Sequence, residues 1–371
     1  MKSYIVVGSG IMGASTAYHL AKQGVPVTVV DRQDEGQATD AAAGMVCPWL
    51  SQRRNKAWYQ LVKNGARYYP ELVRELEGDG QTDTGYKRVG ALKLHTDDAK
   101  LDKIVTLAEK RREDAPEIGE IKKLTREETK AMFPPISEEY AAVYVSGGAR
   151  VDGRALRNAL IKGAQKHGAR ILYGDATLSF EGATVTGVNV DGDFLSGEKV
   201  IVTGGAWSKE MLEPLGVQFL VSSQKAQIAH ISISETNTSE WPVIMPPTNK
   251  YVLPFESGRI VMGATHEENE DFNNHVTAGG LHDIFSQLLP IAPGLKNGTF
   301  VESRVGFRPY TPGFLPVIGN VPGFDHLLVA NGLGASGLTS GPYLGFELAN
   351  LALSRPSGID LTPYDVTGAM E

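Results

Sequence analysis

The first 31 residues constrain the fold more than any other part of this chain. Residues 3–7 form a short β-branched run that is typical of a buried strand, and the glycine pattern at residues 8–13 (Gly-Ser-Gly-Ile-Met-Gly) follows it directly. Residues 14–23 have the composition of a helix, and a second strand at residues 27–30 leads into Asp31. This order of strand, glycine-rich turn, helix and strand predicts a βαβ unit that binds a dinucleotide.

Each marked position of the unit has a physical role. Gly8 permits the tight turn, Gly10 lets the backbone approach a pyrophosphate, and Gly13 lets the helix pack on the strand. The helix N-terminus offers free N–H groups and a positive dipole end to phosphates. Asp31 can accept hydrogen bonds from the adenosine ribose, which disfavours the 2′-phosphate of NADP, although the adjacent Arg32 leaves NADP open.

Size, charge and cysteine content narrow the function further. The chain has 371 residues, enough for two domains, and its 36 basic and 43 acidic residues give a net charge of −7 without a basic run. Nucleic acid is therefore not expected as a partner. Cys47 is the only cysteine, which favours a reducing, cytoplasmic location. We expect no signal peptide, no integral membrane segment and no metal site, and peripheral membrane contact stays open.

The rest of the sequence alternates between α/β segments and a region rich in strands. Residues 58–76 predict an amphipathic helix, which Pro70 should kink or divide in two. Strands dominate residues 226–309, with a hairpin over residues 251–265. A glycine-rich loop then precedes an apolar helix at residues 343–353.

These patterns predict an α/β fold in which a Rossmann-like dinucleotide-binding domain is interrupted by a second domain. The predicted cofactor domain comprises residues 1–88, 145–222 and 305–371. The second, α+β domain of mainly antiparallel strands comprises residues 89–144 and 223–304, and we expect it to bind the substrate.

Five sequence blocks, in order, carry a resemblance to a known family. They are the glycine pattern with Asp31, the loop at residues 39–45, the strand end at 202–208, the segments 251–254 and 258–265, and the segments 305–309 and 316–319 with the C-terminal glycines. Together they resemble the D-amino-acid oxidase family of FAD-dependent oxidoreductases over essentially the full length. Within that family the chain is most similar to bacterial glycine oxidases and D-amino-acid dehydrogenases.

The resemblance implies that FAD is the cofactor. The residues expected to bind it are Gly8, Gly10, Ile11, Met12, Gly13, Asp31, Arg32, Thr39, Ala43, Gly44, Met45, Thr177, Gly204, Gly205, Trp207, Gly334, Ala335, Ser336, Gly337, Leu338 and Thr339. Family members with covalent flavin attach it through Cys or His at particular positions. This chain has no Cys in its C-terminal half and no His at residues 41–45, so we expect noncovalent FAD.

The resemblance also implies how substrate is held and oxidised. Arg308 matches an arginine that binds the substrate carboxylate, and Tyr251 matches a tyrosine that hydrogen-bonds it. An arginine in a structural ion pair and a buried strand tyrosine are the alternatives. The implied reaction is hydride transfer from the α-carbon of a small amino acid, such as glycine, sarcosine or a D-amino acid, to flavin N5. The resulting imine hydrolyses to an oxo acid.

The sequence departs from glycine oxidases near the substrate. Residues 333–335 (Leu-Gly-Ala) replace a bulkier group that includes an arginine, so a larger, cyclic or N-methylated substrate is plausible. His266, just beyond the predicted hairpin, is either a surface residue or the edge of the pocket.

Three other functions stay open at this point. A dehydrogenase would pass electrons to a quinone or another carrier instead of O2. A nicotinamide enzyme can share the glycine pattern, and a catalytically silent FAD-binding protein can share the fold. Family members are often homo-oligomers, so self-association is a further expectation by analogy.

Overall fold

The structure, a computed structural model, describes residues 3–235, 237–268 and 271–371. Within these residues the helices are α1 (Ile11–Lys22), α2 (Ala38–Ala41), α3 (Lys56–Gly78), α4 (Asp98–Arg112), α5 (Arg126–Met132), α6 (Gly153–Lys166), α7 (Ser208–Leu212), α8 (Ala278–Leu288) and α9 (Gly337–Ala352). The strands are β1 (Tyr4–Val7), β2 (Val27–Asp31), β3 (Ala43–Val46), β4 (Tyr86–Arg88), β5 (Ala91–His95), β6 (Ile121–Leu124), β7 (Ala141–Val145), β8 (Ala149–Asp152), β9 (Arg170–Tyr173), β10 (Ala176–Glu181), β11 (Thr184–Val190), β12 (Asp193–Ser196), β13 (Lys199–Val202), β14 (Ser222–Ser232), β15 (Val243–Met245), β16 (Tyr251–Pro254), β17 (Arg259–Gly263), β18 (Glu267–Glu268), β19 (Thr299–Tyr310), β20 (Val317–Asn320) and β21 (Leu327–Asn331).

The first sheet contains the predicted βαβ unit. Its strand order is β20-β21-β13-β1-β2-β9, and every neighbouring pair is parallel except β20 with β21. Helix α1 packs against α6 and α9, and the small sheet β10-β11-β12 lies beside β13. Strands β1, β2 and β13 are buried almost throughout, as expected for parallel strands covered on both faces. The predicted Rossmann-like architecture is confirmed.

The second sheet is mainly antiparallel. Its order is β18-β14-β17-β16-β15-β5-β7-β6, with β19 paired to β14, and β5 with β15 is a parallel pair. The hairpin predicted over residues 251–265 is confirmed as β16 and β17, with Val252 opposite Met262. Alternate residues of these strands pack on α8, so one face of the sheet is covered by a helix. The other face contributes residues to a cavity shared with the first sheet.

Helices α3 and α9 each contain an internal proline, and both differ from the helices predicted from the sequence. Pro70 lies within α3, so the option of two separate helices was wrong. The buried stripe that includes Tyr69, Leu72 and Leu76 continues past the proline, and this burial offsets the one hydrogen bond that proline removes. Helix α9 begins at Gly337 rather than at the predicted residue 343, and it contains Pro342.

A tertiary contact explains how α9 tolerates its proline. The carbonyl of Leu338 cannot accept the usual helical bond from residue 342, because proline has no N–H. It accepts a hydrogen bond from the Tyr69 hydroxyl of α3 instead.

The segment predicted as a loop at residues 39–45 is also partly regular, because Ala43 to Val46 pair with β8.

The predicted division into two domains stays a prediction. The segments assigned to the cofactor domain build the first sheet, and those assigned to the substrate domain build most of the second. Strand β19 runs through the predicted boundary at residue 304, so the second sheet shares a continuous strand with the C-terminal segment.

Candidate active site

Most of the predicted site residues meet in one cavity of about 510 Å³, lined by both large sheets and by α1, α7 and α9. Predicted residues that line it are Gly8, Gly10, Ile11, Met12, Asp31, Arg32, Thr39, Ala43, Gly44, Met45, Thr177, Gly204, Gly205, Trp207, Tyr251, Arg308, Gly334, Ala335, Gly337, Leu338 and Thr339. Gly13 and Ser336 are the two predicted residues outside the lining.

The glycine turn leaves the N-terminus of α1 open toward the cavity. Gly10 is the N-cap residue of α1 and has no side chain with which to cap the helix. The N–H of Ile11 donates to Thr39 Oγ1 at 2.9 Å, which ties the turn to α2. The N–H groups that follow Ile11 in this first turn, with no Cβ at Gly10 to shield them, suit an anionic phosphate.

Gly13 acts beneath the cavity rather than on its surface. A Cβ at this position would lie 1.9 Å from the carbonyl oxygen of Gly8 and 2.4 Å from Thr203 Oγ1. The Thr203 hydroxyl is 2.9 Å from the carbonyl oxygens of both Val7 and Gly8, to which it can donate. The absence of a side chain at Gly13 therefore allows α1 to approach β1 and β13. Thr203 also lines the cavity but was not among the predicted cofactor residues. Its position directly after a parallel strand was the signal that could have identified it.

Asp31 is buried, with 4% of its surface exposed. Its Oδ2 accepts hydrogen bonds from the Ser9 amide at 2.5 Å and the Ser9 hydroxyl at 2.8 Å. Its Oδ1 accepts from the Gln33 amide at 2.7 Å and from Gln37 Nε2 at 2.8 Å. The carboxylate is thus fixed by its neighbours at the wall of the cavity, where a ribose hydroxyl can reach it.

Arg32 is held by carboxylates from three separate segments. Its Nε donates to Asp34 at 2.8 Å, its Nη1 is 3.2 Å from Asp175, and its Nη2 is 3.4 Å from Glu210 of α7. Desolvation opposes the charge of this guanidinium, but the three carboxylates outweigh it and raise the pKa of Arg32. Because the arginine is already surrounded by acids, the cavity wall here disfavours a ribose 2′-phosphate.

Arg308 lies on β19 and has weak protein partners. Its Nη1 is 3.4 Å from Gln224 Oε1 and 3.4 Å from the carbonyl oxygen of Thr265, both long for a hydrogen bond. It forms no ion pair with any residue that the structure describes. Burial lowers the pKa of Arg308, and the nearby Tyr251 acts in the opposite direction. The guanidinium is therefore free to bind an anion in the cavity.

Tyr251 begins β16 and lies close to Arg308. Burial raises the pKa of its phenol, an effect that the positive charge of Arg308 opposes. Among the described residues its hydroxyl has no hydrogen-bond partner. Strands β16, β17, β14 and β19 are successive neighbours, and this order brings the tyrosine and the arginine to one wall.

His266 also lines the cavity, which favours the pocket-edge alternative for this residue. Desolvation, followed by the positive charges of Arg308 and Lys250, lowers the pKa of its imidazole. Lys250 itself is buried, donates to the carbonyl of Ala264 at 3.0 Å and pairs with Asp283 at 2.6 Å. His266 was not in the predicted catalytic set, although its place directly after the hairpin was a usable signal.

Comparison with known proteins agrees with this geometry. The family model of the DAO group, described as FAD dependent oxidoreductase, matches residues 3–351. The chain belongs to this DAO family. It is 58% identical over 371 residues to the uncharacterized oxidoreductase YurR of Bacillus subtilis (strain 168), covering 100% of both chains. It is 30% identical over 371 residues to the glycine oxidase of Pseudomonas aeruginosa, covering 99% of each.

Solved structures of DAO-type enzymes have the same fold. The iminodiacetate oxidase IdaA of Chelativorans sp. BNC1 has a TM-score of 0.94 to this chain, at 41% identity over 98% of each chain. The glycine oxidase of Geobacillus kaustophilus has a TM-score of 0.87 at 24% identity, over 99% of this chain and 98% of that one. The protein is thus an FAD-dependent amino acid or amine oxidoreductase, and the nicotinamide and catalytically silent alternatives are not supported.

The cavity of this DAO-family chain fits FAD on structural grounds. The uncapped α1 N-terminus can bind the pyrophosphate, Asp31 the ribose, and residues 334–339 can bring the N-terminus of α9 to the flavin. Ser336, outside the lining, accepts a hydrogen bond from Trp58 Nε1 at 2.8 Å and so fixes this turn on α3. Asn331 similarly donates to the carbonyl of Gly205 at 2.9 Å.

We expect the FAD to be released intact when the protein is precipitated with acid. Cys47 does not line the cavity, and burial raises the pKa of its thiol to about 12, which leaves it unreactive. A yellow supernatant supports noncovalent binding, whereas flavin that stays in the washed pellet contradicts it.

The described residues contain neither a metal-ligand cluster nor a helix that could span a membrane. No group of three or more His, Cys, Asp or Glu side chains there could hold a metal ion. No helix in that part of the chain is both long and apolar enough to cross a membrane.

Proposed function

We propose that this enzyme oxidises the C–N bond of a small amino acid whose carboxylate is bound by Arg308 and Tyr251. The observation that carries the proposal is the state of Arg308, a cavity-lining guanidinium with two long hydrogen bonds and no ion pair among the described residues. A planar guanidinium can donate two parallel hydrogen bonds to one carboxylate. Relatives named glycine oxidase and iminodiacetate oxidase support a substrate that has both an amine and a carboxylate.

In this mechanism the protein mainly binds and orients the substrate. Arg308 fixes the direction of the carboxylate, and the Tyr251 hydroxyl donates a further hydrogen bond to it. Ala226 and Ile228 of β14 give this wall an apolar surface, which limits the access of water to the reacting carbon. FAD, which the N-terminus of α1 and Asp31 would hold, would supply the hydride acceptor for the substrate α-carbon.

In this mechanism the protein contributes electrostatic stabilisation, and no side chain acts as a general base. The α-carbon loses a hydrogen with its electron pair, the amine nitrogen loses a proton to water, and hydrolysis of the imine yields an oxo acid and an amine or ammonia. The positive end of the α9 dipole can stabilise negative charge that accumulates at the cofactor. Of the described acids that line the cavity, none belongs to the wall of Arg308 and Tyr251.

Anaerobic reduction of the bound flavin tests this proposal. We expect the visible flavin band to bleach on addition of at least one of glycine, sarcosine, D- or L-alanine, and D- or L-proline. A flavin spectrum that no member of this panel or any other amino acid bleaches would overturn the amino-acid assignment. Under air, peroxide formation identifies an oxidase, and reduction of an added dye without peroxide identifies a dehydrogenase.

A further inference from the structure

The charges around the cavity are unevenly distributed. Its acidic lining residues in the described chain are Asp31, Asp34, Asp175 and Glu210. All four lie where β2, β9 and α7 contribute to the wall, and three of them contact Arg32. The wall formed by the second sheet instead carries Arg308, with His266 and the uncharged polar groups of Tyr251 and Asn249. That wall suits an anionic ligand, whereas the acidic wall around Arg32 does not.

His266 is the second group on this wall that can be a cation. Its side chain is exposed, so a ligand in the cavity can reach the imidazole. The charged groups that act on it are Arg308 from β19, Lys250 before β16, and Asp283 from α8. Lys250 and Asp283 pair with each other at 2.6 Å. The remaining positive charge at this wall is therefore that of Arg308 and of any proton on His266.

Resting on the proposed function, we propose that the substrate is an amine with two carboxylates, of which Arg308 binds one and His266 binds the other. One carboxylate is sufficient to neutralise Arg308. A second carboxylate in the same partly buried cavity would lose hydration without compensation unless another donor met it. His266 is that donor, so the imidazole selects N-carboxymethyl amino acids and similar dicarboxylates over substrates with one carboxylate. The structural similarity to an enzyme named iminodiacetate oxidase is consistent with this class.

The proposal predicts a distinctive dependence on pH. Without ligand, desolvation and the neighbouring positive charges lower the pKa of His266, so the imidazole is mostly neutral at neutral pH. A carboxylate beside it favours the protonated form and raises this pKa in the complex. Binding of a dicarboxylate then takes up a proton and weakens as pH rises. Binding of a monocarboxylate to Arg308 lacks this dependence, because the guanidinium stays charged.

Two unreactive ether acids separate binding from turnover. Oxydiacetate has the shape of iminodiacetate without its nitrogen, and methoxyacetate has that of sarcosine. Their dissociation constants can be measured on the FAD-loaded protein from changes in the flavin spectrum between pH 6 and 9. We expect oxydiacetate to bind at least about ten-fold more tightly than methoxyacetate near pH 6, and this ratio to fall as pH rises.

Substitutions at His266 identify the group responsible. His266→Leu should reduce the ratio to about three-fold or less and remove its pH dependence, whereas His266→Lys should keep the preference over the whole pH range. His282→Leu on α8 is the matched control, because His282 is exposed outside the cavity lining, and it should keep the wild-type ratio. The ratio of kcat/KM for iminodiacetate to that for sarcosine should follow the binding ratio in all three variants.

The outcomes distinguish this inference from the proposed function. A wild-type protein that prefers methoxyacetate, or an oxydiacetate preference that survives in His266→Leu, would overturn the role of His266 while leaving amino-acid oxidation intact. If neither ether acid perturbs the flavin and no amino acid, iminodiacetate included, bleaches it, the proposed function fails and this inference fails with it.

Discussion

Replacement of Arg308 by alanine is expected to lower kcat/KM by at least about two orders of magnitude, or about 3 kcal/mol of transition-state stabilisation. In the proposed mechanism, the guanidinium both binds the carboxylate and sets the position of the α-carbon. Its loss should therefore raise KM steeply and also lower kcat, because a substrate without this anchor is misoriented. Stopped-flow reduction of the flavin under anaerobic conditions measures both effects without interference from the electron acceptor.

Two variants control for charge and for general damage. Arg308→Lys keeps a positive charge but cannot form the bidentate pair, so its kcat/KM should lie between those of wild type and alanine. Arg304→Ala removes another arginine of β19, which pairs with Glu302 and does not line the cavity, and it should retain most activity. Near-normal kinetics in Arg308→Ala with a full complement of FAD would refute the assignment of Arg308.

Alanine at Gly13 should destabilise the protein as well as weaken FAD binding. The added Cβ would overlap the carbonyl of Gly8, a backbone atom that cannot move aside without separating α1 from β1. Overpacking of this kind costs about 1–3 kcal/mol in the free energy of unfolding. Denaturant unfolding of FAD-depleted protein, followed by circular dichroism, measures this cost independently of the cofactor.

Gly10→Ala is the matched substitution for this test. Here the added Cβ would lie 3.6 Å from Thr39 Oγ1, an ordinary contact, so unfolding of the FAD-depleted protein should change by less than about 0.5 kcal/mol. The methyl group would still stand in the path of the pyrophosphate, and the affinity for FAD should fall. Equal destabilisation of the two FAD-depleted variants would contradict the separate roles given to Gly10 and Gly13.

The Rossmann-like unit could be predicted because its determinants are local. Gly8 adopts a φ of +99° at the end of β1, a conformation that favours glycine, and the pattern of strand and helix lies within one continuous segment. The predicted hairpin of β16 and β17 followed from equally local signals. Where the prediction failed, at Pro70 and at the start of α9, contacts with distant residues overrode the local effect of proline.

The candidate site shows the same contrast. The cofactor residues predicted from the family resemblance line the cavity, apart from Gly13 below it and Ser336 outside the lining. The resemblance gave no sign that Arg32 is paired with acids from β9 and α7, and it left open whether His266 lies at the pocket edge, on the wall of Arg308. These pairings join residues that lie far apart in the chain.

By itself, the sequence determined the βαβ unit, its three glycines and the acid that ends β2, because turns and strand ends are decided by neighbouring residues. The tertiary structure alone decided which charges are neutralised and which stay available. Arg32 and Arg308 are the same residue type, yet Arg32 is enclosed by carboxylates whereas Arg308 has no ion pair among the described residues. That difference arises from the order of strands in the two sheets, which sets the neighbours of each side chain and is not encoded in any local pattern.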